Sequence, residues 1–506
     1  MSVFRTKSIE QSVQETHEPE HQLKKRLSAL DLTVFGIGVI IGAGIFTVTG
    51  KAAHAYAGPA IVISFLIGAF CCGLAALCYA EFASTVPVSG SAYTFSYATL
   101  GELVAWIIGW DLLLELMLGA SVVAQGWAQY SQVFLGKLGV TVPAAVAPGS
   151  HFDLLAFLMV AALTVLVTIG IKESMRVNLV LVGIKLFIVL FVIIAGIGYI
   201  KSANYTPFIP EAVSGTTANG IHAPLIQVLF GLTPTTFGIG GIVAGASLVF
   251  FAYIGFDVVA TTAEEAKNPQ RDMPIGIIAS LSICTILYIA VALVITGMVR
   301  YDKIDPSAAL ASAFESVGKG GFATLIAGGA VAGLTTVVMT LMIGATRVVF
   351  AMSRDWLLPR RLAHINPRTG TPVATTLGIG TLVALIASLT PIGKLEEMVN
   401  IGTLAAFTLV SIAVPILRRR RPDLKRPFKV PFSPVVPIVA AVICFYLMLN
   451  LSVETWIRFV VWMALGFLIY FLYGNKRSRM AVADAEAATE ADTLASAKSP
   501  AHTSTS

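Results

Sequence analysis

Apolar stretches of about 18 residues or more follow one another along almost the whole chain, parted by short polar loops. A run of that length crosses the hydrocarbon core of a bilayer as one helix. Hydropathy therefore predicts twelve helical spans, at 31–56, 60–84, 98–130, 152–171, 177–199, 241–263, 274–298, 321–352, 373–390, 395–417, 433–452 and 456–474. The third and eighth are the longest and are expected to tilt. Residues 1–30 are polar, read as a tail on the inner side, and lack the apolar core of a cleavable signal peptide. Residues 475–506, rich in Ala, Ser, Thr and Glu, read as a second, disordered inner tail.

The first span departs from a plain helix. Asp31-Leu-Thr-Val-Phe-Gly-Ile-Gly-Val-Ile-Ile-Gly-Ala-Gly-Ile-Phe46 has no charge between Asp31 and Lys51, yet Gly36, Gly38, Gly42 and Gly44 crowd its middle. Glycine is costly inside a helix and permits other backbone angles. One reading is two half-helices meeting at Ile41–Ile45. Irregular backbone at that depth persists only where it lines protein or a wet cavity. The N–H groups opening the second half would then receive an anion such as a carboxylate. The carbonyls ending the first half would suit an ammonium, so the break as a whole suits a zwitterion. The other reading is that the glycines serve close helix–helix contact.

A second interruption falls in the sixth span, Phe250-Phe-Ala-Tyr-Ile-Gly-Phe-Asp257, where Gly255 and Asp257 break an apolar run. Two interrupted spans in corresponding positions point to the binding site of a secondary transporter. Spans 1–5 (31–199) and 6–10 (241–417) would then be inverted copies, because five is odd. Residues 200–240 form an outer loop between them. Spans 11 and 12 (418–474, with the basic inner loop that precedes them) stand outside the repeat.

Composition agrees with a polytopic helical membrane protein: 56% of the 506 residues are hydrophobic and only 12% charged. The net charge of +6 is no sign of nucleic acid, because the basic residues sit in short loops. About 23 lysines and arginines fall on one side of the spans and about 8 on the other. That asymmetry places both termini in the cytoplasm, with the protein in the inner membrane. Arg418–Arg421 reads as a topology signal in contact with lipid headgroups. Cys71, Cys72, Cys78, Cys284 and Cys444 all lie within spans and imply no disulfide or metal framework. His54 and His151 are isolated, so neither a metal nor a cofactor is expected.

Among the few polar residues inside spans, Lys185 stands out, well within the fifth. A central lysine costs about 2.5–3.5 kcal/mol on insertion scales, and burial favours its neutral form. A lysine that loses and regains its proton couples proton flow to transport; a fixed ion pair is the alternative. Asp111 and Glu115 lie four apart and share one helix face. Glu115, the deeper, would meet a basic substrate group, take a proton, or pack against a neighbouring helix. Glu81 ends the second span, before a Pro/Gly/Ser turn. The loop Glu264–Pro274 forms either an inner gate network or a solvated loop. Arg347, Arg354, Asp355 and Pro359 mark the inner end of the eighth span.

Gly-Ala-Gly-Ile-Phe46, Pro-Val-Ser-Gly-Ser-Ala-Tyr93, Phe-Phe-Ala-Tyr-Ile-Gly-Phe-Asp257, Glu-Glu-Ala-Lys-Asn-Pro269 and Ala-Met-Ser-Arg-Asp355 follow one another in order. Together they resemble the amino acid–polyamine–organocation superfamily over about residues 31–474, and within it the bacterial relatives of the cationic amino acid transporters. The resemblance implies an all-α fold of twelve transmembrane helices, a five-plus-five inverted repeat with broken helices 1 and 6 and two added helices. It places the substrate carboxylate on the N–H groups of Gly42, Ala43 and Gly44. It places the α-amino group on carbonyls at Ile41, Phe251, Ala252 and Ile254. Phe256 matches the aromatic that closes over the substrate. Lys185 matches a lysine of the proton-coupled members, where sodium-coupled relatives bind sodium.

The expectation is a secondary active transporter, not an enzyme. Its substrate would be an L-amino acid, cationic and/or small neutral, and its coupling ion a proton, by symport or exchange. Membrane lipids are its surroundings. An amino-acid sensor or channel is the rival from another class. A membrane enzyme would need metal, phosphate-loop or nucleophile constellations, which the sequence does not offer.

Overall fold

The computed structural model describes residues 5, 27–86, 91–169, 175–214, 220–231, 235–367 and 369–482. Helix α1 (Ala29–Ile40) begins two residues before the predicted limit, because Ser28 caps it. The Ser28 hydroxyl accepts from the Asp31 N–H, and Asp31 accepts in return from the Ser28 N–H at 2.9 Å. The chain then leaves helical geometry at Ile41 and Gly42 and resumes as a wide π-turn over Gly44–Val48, running on to Ala57. A tight turn at Gly58, with φ +58°, feeds α2 (Ile61–Thr85).

The remaining helices are α3 (Glu102–Lys137), α4 (Leu154–Ile169), α5 (Met175–Ile197), α6 (Gly238–Val249), α7 (Pro269–Met298), α8 (Gly320–Arg354), α9 (Val373–Leu389), α10 (Ile392–Arg420), α11 (Val435–Leu449) and α12 (Val453–Ile469). Eight helices among the described residues are long and apolar enough to cross a membrane, and four apolar helices of 10–17 residues accompany them. The third predicted span starts four residues late and runs seven further: α3 begins after Gly101, whose φ is +100°, and the stretch before it, read as a turn and loop, contains the short helix Ser91–Thr99. In the outer loop, β1 (Val213–Ser214) pairs antiparallel with β2 (Thr235–Thr236).

The core is a bundle of helices packed on helices. The long helices α3 and α8 lie along one another. Helix α7 packs on α1, α2 and α5; α6 on α2; α9 on α3 and α4; α10 on α3, α6 and α11; α5 on α1 and α8. Around this core, residues such as Leu179, Phe187, Ile194, Val442, Val460 and Leu468 are 47% or more exposed. Such a continuous apolar surface is what a bilayer covers.

Two buried carboxylates organise the end of the bundle where α2 ends and α3 begins. Glu81 at the end of α2 is 2% exposed and receives the guanidinium of Arg418 at 2.9 and 2.5 Å, the Val430 N–H at 2.7 Å and Arg426 at 3.7 Å. Glu102, fully buried, accepts from Tyr97, Tyr470 and Ser478 and lies 3.9 Å from Arg5. The start of the segment read as a disordered tail is thus ordered as far as residue 482, because Ser478 supplies one of those hydrogen bonds. Residues 483–506 and Pro87–Gly90 lie outside the described residues.

Glu81→Ala removes the shared anion and leaves Arg418 and Arg426 facing each other. Breaking a buried pair costs about 3 kcal/mol. Purified Glu81→Ala protein is expected to lose its monodisperse size-exclusion peak at a temperature several degrees below wild type.

Candidate functional site

Both interruptions exist in the folded chain, and they sit against each other. At the first, Ile41 takes ψ 85°, its N–H still reaching Ile37 O at 2.9 Å. The next N–H, that of Gly42, turns back to Ile40 O at 2.8 Å. The second half-helix then opens with the N–H groups of Ala43, Gly44 and Ile45, which by position have no acceptor within it. At the second interruption, α6 tightens into a 3₁₀ turn over Phe250–Tyr253, and Ile254 is extended. Gly255, at φ +121°, turns the chain into the short helix Phe256–Ala260. Asp257 accepts from the Gly255 N–H at 3.3 Å.

The glycines of the first span divide between the two readings. Gly36 is a packing glycine: a Cβ there would lie 2.5 Å from Ser280 Oγ of α7. Gly42 belongs to the break and faces Val337 of α8, whose Cγ1 would be 3.3 Å from an added Cβ. Gly44 serves both purposes, because a Cβ there would collide with the backbone of Ala252. Reciprocally, a Cβ on Gly255 would lie 2.8 Å from Val39. Ile41, Ala43, Ala252, Tyr253 and Phe256 are at most 2% exposed, so both breaks are closed to solvent in this conformation.

Side chains from other helices hydrogen-bond to backbone carbonyls at and beside the interruptions. Lys185 of α5, fully buried, donates to Gly38 O at 2.6 Å, with its stem against Gly333 of α8. Tyr288 of α7 donates to Ile40 O at 2.6 Å, and Tyr130 of α3 to Phe46 O at 2.7 Å. Asn400 of α10 donates to Ser247 O at 2.8 Å, just before the second break. An unpaired carbonyl in hydrocarbon costs several kcal/mol, so these four side chains are part of what lets the helices stay broken.

Beside the second break lies a chamber of acids. Glu115 and Asp111 of α3 are each 1% exposed, and none of their four carboxylate oxygens has a hydrogen-bond partner among the described residues. Asp257 and Tyr79, whose hydroxyl has no hydrogen-bond partner among the described residues, are close enough to act on Glu115 or one another electrostatically. Thr403 is near Glu115 but donates to Val399 O at 3.0 Å. Phe256 is packed at 4.9 Å from the ring of Phe407 and 5.8 Å from that of Tyr79.

The structure brings Ile41, Gly42, Ala43 and Gly44 together with Phe251, Ala252, Ile254 and Phe256 in one region. It differs from expectation at Gly42, whose N–H is engaged by Ile40 O rather than free. Sequence reasoning missed Tyr130, Tyr288 and Asn400, although a lone amide in the tenth span was a visible signal. It also missed the ion pair between half-buried Lys51, beyond the first break, and buried Glu396 at the start of α10. Those partners are 345 residues apart, and nothing local announces the pairing. On the inner side, Arg347 lies 3.7 Å from Glu265. Leu27 bridges the same loop, its N–H on Glu265 O at 2.9 Å and its O accepting from Lys267 at 2.8 Å. No His/Cys/Asp/Glu group fit for a metal occurs among the described residues.

Comparison with known proteins adds to this geometry. A family model described as amino acid permease matches residues 27–472. The chain is 47% identical over 490 residues to the branched-chain amino acid permease BcaP of Bacillus subtilis (strain 168), covering 95% of this chain and 99% of that protein. It is 45% identical over 483 residues to the methylthioribose transporter of the same organism, covering 94% and 99%. It is 39% identical over 436 residues to cationic amino acid transporter 4, vacuolar, of Arabidopsis thaliana, covering 83% and 68%.

Gly44→Val places a branched side chain where Ala252 sits, and is expected to hold the breaks apart. Ligand-induced thermal stabilisation should disappear while the purified yield stays within twofold of wild type. Lys51→Gln leaves Glu396 buried without its cation, so the outer side should open more often. A cysteine introduced by Thr47→Cys should then react several-fold faster with a membrane-impermeant maleimide applied from outside.

Proposed function

We propose that this chain, which belongs to the amino acid permease family, is a secondary active transporter of L-amino acids. The observation that carries the proposal is the pair of facing helix breaks, with orphan N–H groups on one and released carbonyls on both. In this reading the substrate carboxylate docks on the N–H groups of Ala43 and Gly44, and on Gly42 once its turn toward Ile40 O opens. The α-amino group meets carbonyls of Ile41, Phe251, Ala252 and Ile254. The breaks must part for substrate to enter, and Phe256 then closes over it.

Helices 1–5 and 6–10 form an inverted repeat in this reading. Exchanging the two sets turns α1–α7 packing into α6–α2, α3–α10 into α8–α5, α3–α9 into α8–α4 and α1–α5 into α6–α10, all of which are made. The pairs α2–α7, α3–α8 and α4–α9 map onto themselves, and are also made. That correspondence supports the repeat, with α11 and α12 outside it; the lysine and arginine asymmetry between the loops is what supports cytoplasmic termini in an inner-membrane protein. The two faces close differently: Lys51–Glu396 bars the outer route, while Arg347–Glu265 and the Leu27 bridge bar the inner one. Because Leu27 ties the start of α1 to the loop after the second break, the inner halves of both broken helices move as one body.

Lys185 is the proton-coupling group of this mechanism. Protonated, it holds Gly38 O by a charge-assisted bond, worth roughly twice a neutral one. Losing the proton loosens the end of α1, so proton release and inner opening are linked. One charge falling through about 100 mV supplies roughly 2.3 kcal/mol. Lys185→Ala is expected to abolish uptake driven by a pH gradient in proteoliposomes. Accumulation with wild-type pH dependence in that variant would remove the coupling role.

The side-chain preference turns on Glu115. A cationic side chain would sit against Glu115 and Asp111 and satisfy their oxygens. A small neutral or branched-chain substrate would leave those acids to carry protons, and the branched-chain permease relative favours that second reading. Methylthioribose has no ammonium–carboxylate pair and would use only part of the break. A thermal-shift screen against the twenty amino acids and methylthioribose, at two pH values, separates these cases. Glu115→Gln should weaken stabilisation by lysine or arginine at least tenfold more than that by alanine or leucine. Equal losses would make Glu115 a packing residue, and binding without counterflow would make the protein a sensor.

A further inference from the structure

The arginine run that reads in sequence as a lipid contact is largely spent inside the protein. Arg418 is bound to Glu81, Arg420 donates to Thr99 O at 3.2 Å, and Arg421 pairs with Asp423 at 2.9 Å. Arg426 donates to Arg421 O at 2.7 Å. Arg419 of the run stays exposed, and further basic charge free to meet the membrane lies beyond the run. Arg271, on the first turn of α7, is exposed, and its guanidinium makes no ion pair or hydrogen bond among the described residues. It stands on the rim of a groove of about 680 Å³ between α7 and the loop that follows α10.

Below that rim the groove is apolar. Pro274, Ile275 and Ile278 line it from α7, and Phe428 closes it from the loop. Residues 271, 274, 275 and 278 share one helix face by their spacing. From Arg271 to Ile278 the helix rises about 10 Å, comparable to a glycerol unit and the first carbons of an acyl chain. Ile275 is 42% exposed, leaving apolar surface in the groove that an acyl chain would cover. Lys425 and Lys429, both exposed and without an ion pair among the described residues, flank Pro427 and Phe428 in the same loop. Two acids are near in sequence, and each is engaged: Asp272 accepts from the Asn268 N–H at 3.2 Å, and Asp423 holds Arg421.

We propose that this groove binds an anionic phospholipid of the inner leaflet, its phosphate on Arg271 with Lys425 and Lys429 nearby and one acyl chain along Pro274–Ile278. The charge match selects the headgroup, and the apolar floor requires the chain. A lipid seated there would brace α7, which packs on α1 and α2, against the loop that Glu81 anchors.

Native mass spectrometry of the purified full chain, with phosphatidylglycerol or phosphatidylcholine of identical chains added, tests this. Wild type is expected to retain phosphatidylglycerol at least fivefold better than phosphatidylcholine. One basic group near an anionic headgroup is worth about a fivefold preference, so Arg271→Gln should erase about that much and leave phosphatidylcholine binding unchanged. Ile278→Trp, filling the groove, should weaken both lipids. Equal retention of the two lipids by wild type, or variants indistinguishable from it, would overturn the proposal. So would sn-glycerol 3-phosphate competing as well as the intact lipid, since the site would then belong to a soluble phosphate. A dimer that Ile278→Trp dissociates would assign the groove to a second copy and overturn it equally.

Discussion

A peptide group without a hydrogen-bond partner is costly in hydrocarbon, and the architecture is a response to that cost. An intact helix satisfies its own backbone; a helix cut at Ile41–Gly42 does not. The cut is stable because Lys185, Tyr288 and Tyr130 arrive from three other helices to take Gly38 O, Ile40 O and Phe46 O. Asn400 does the same ahead of the second cut. The site is therefore a property of the whole bundle, and any motion of one supporting helix alters the backbone groups offered there.

The same supports explain how separate helices move together. Gly44 rests on Ala252 and Gly255 on Val39, so neither break shifts alone. Leu27 joins the inner ends of the two broken helices by backbone hydrogen bonds, which no side-chain change removes. Two ion pairs flank the breaks, and they differ in kind. Glu396 is 1% exposed and paired with half-buried Lys51, whereas Arg347 and Glu265 are both partly solvated. Parting the first leaves a buried carboxylate without its cation; parting the second costs little.

Acids without partners are rare in an apolar core, because burial penalises the charged form heavily. Asp111 and Glu115 persist beside the second break all the same. Relatives named for branched-chain amino acids and methylthioribose match this chain over nearly their whole length, and the one named for cationic amino acids over 68% of its own. Proteins named for chemically different substrates therefore share much of this chain's sequence.

Much of the fold was legible in the chain. Length and apolarity mark a membrane-spanning helix locally, so the helices appear near their predicted limits; Gly255 marks the second interruption by an angle only glycine adopts freely, and Gly42 and Gly44 mark the first by the close approach of Val337 and Ala252. Lys185 was visible because a charge at that depth needs a reason. What the chain alone left open were facts of pairing between distant residues. Which glycines pack and which break depends on what lies opposite, Ser280 for Gly36 and Ala252 for Gly44. That Gly42 spends its N–H on Ile40 O, that Lys51 meets Glu396, and that Arg418 turns inward to Glu81 were decided by tertiary structure. Hydropathy is carried by each residue separately, whereas hydrogen bonds and ion pairs exist only once two parts of the chain have met.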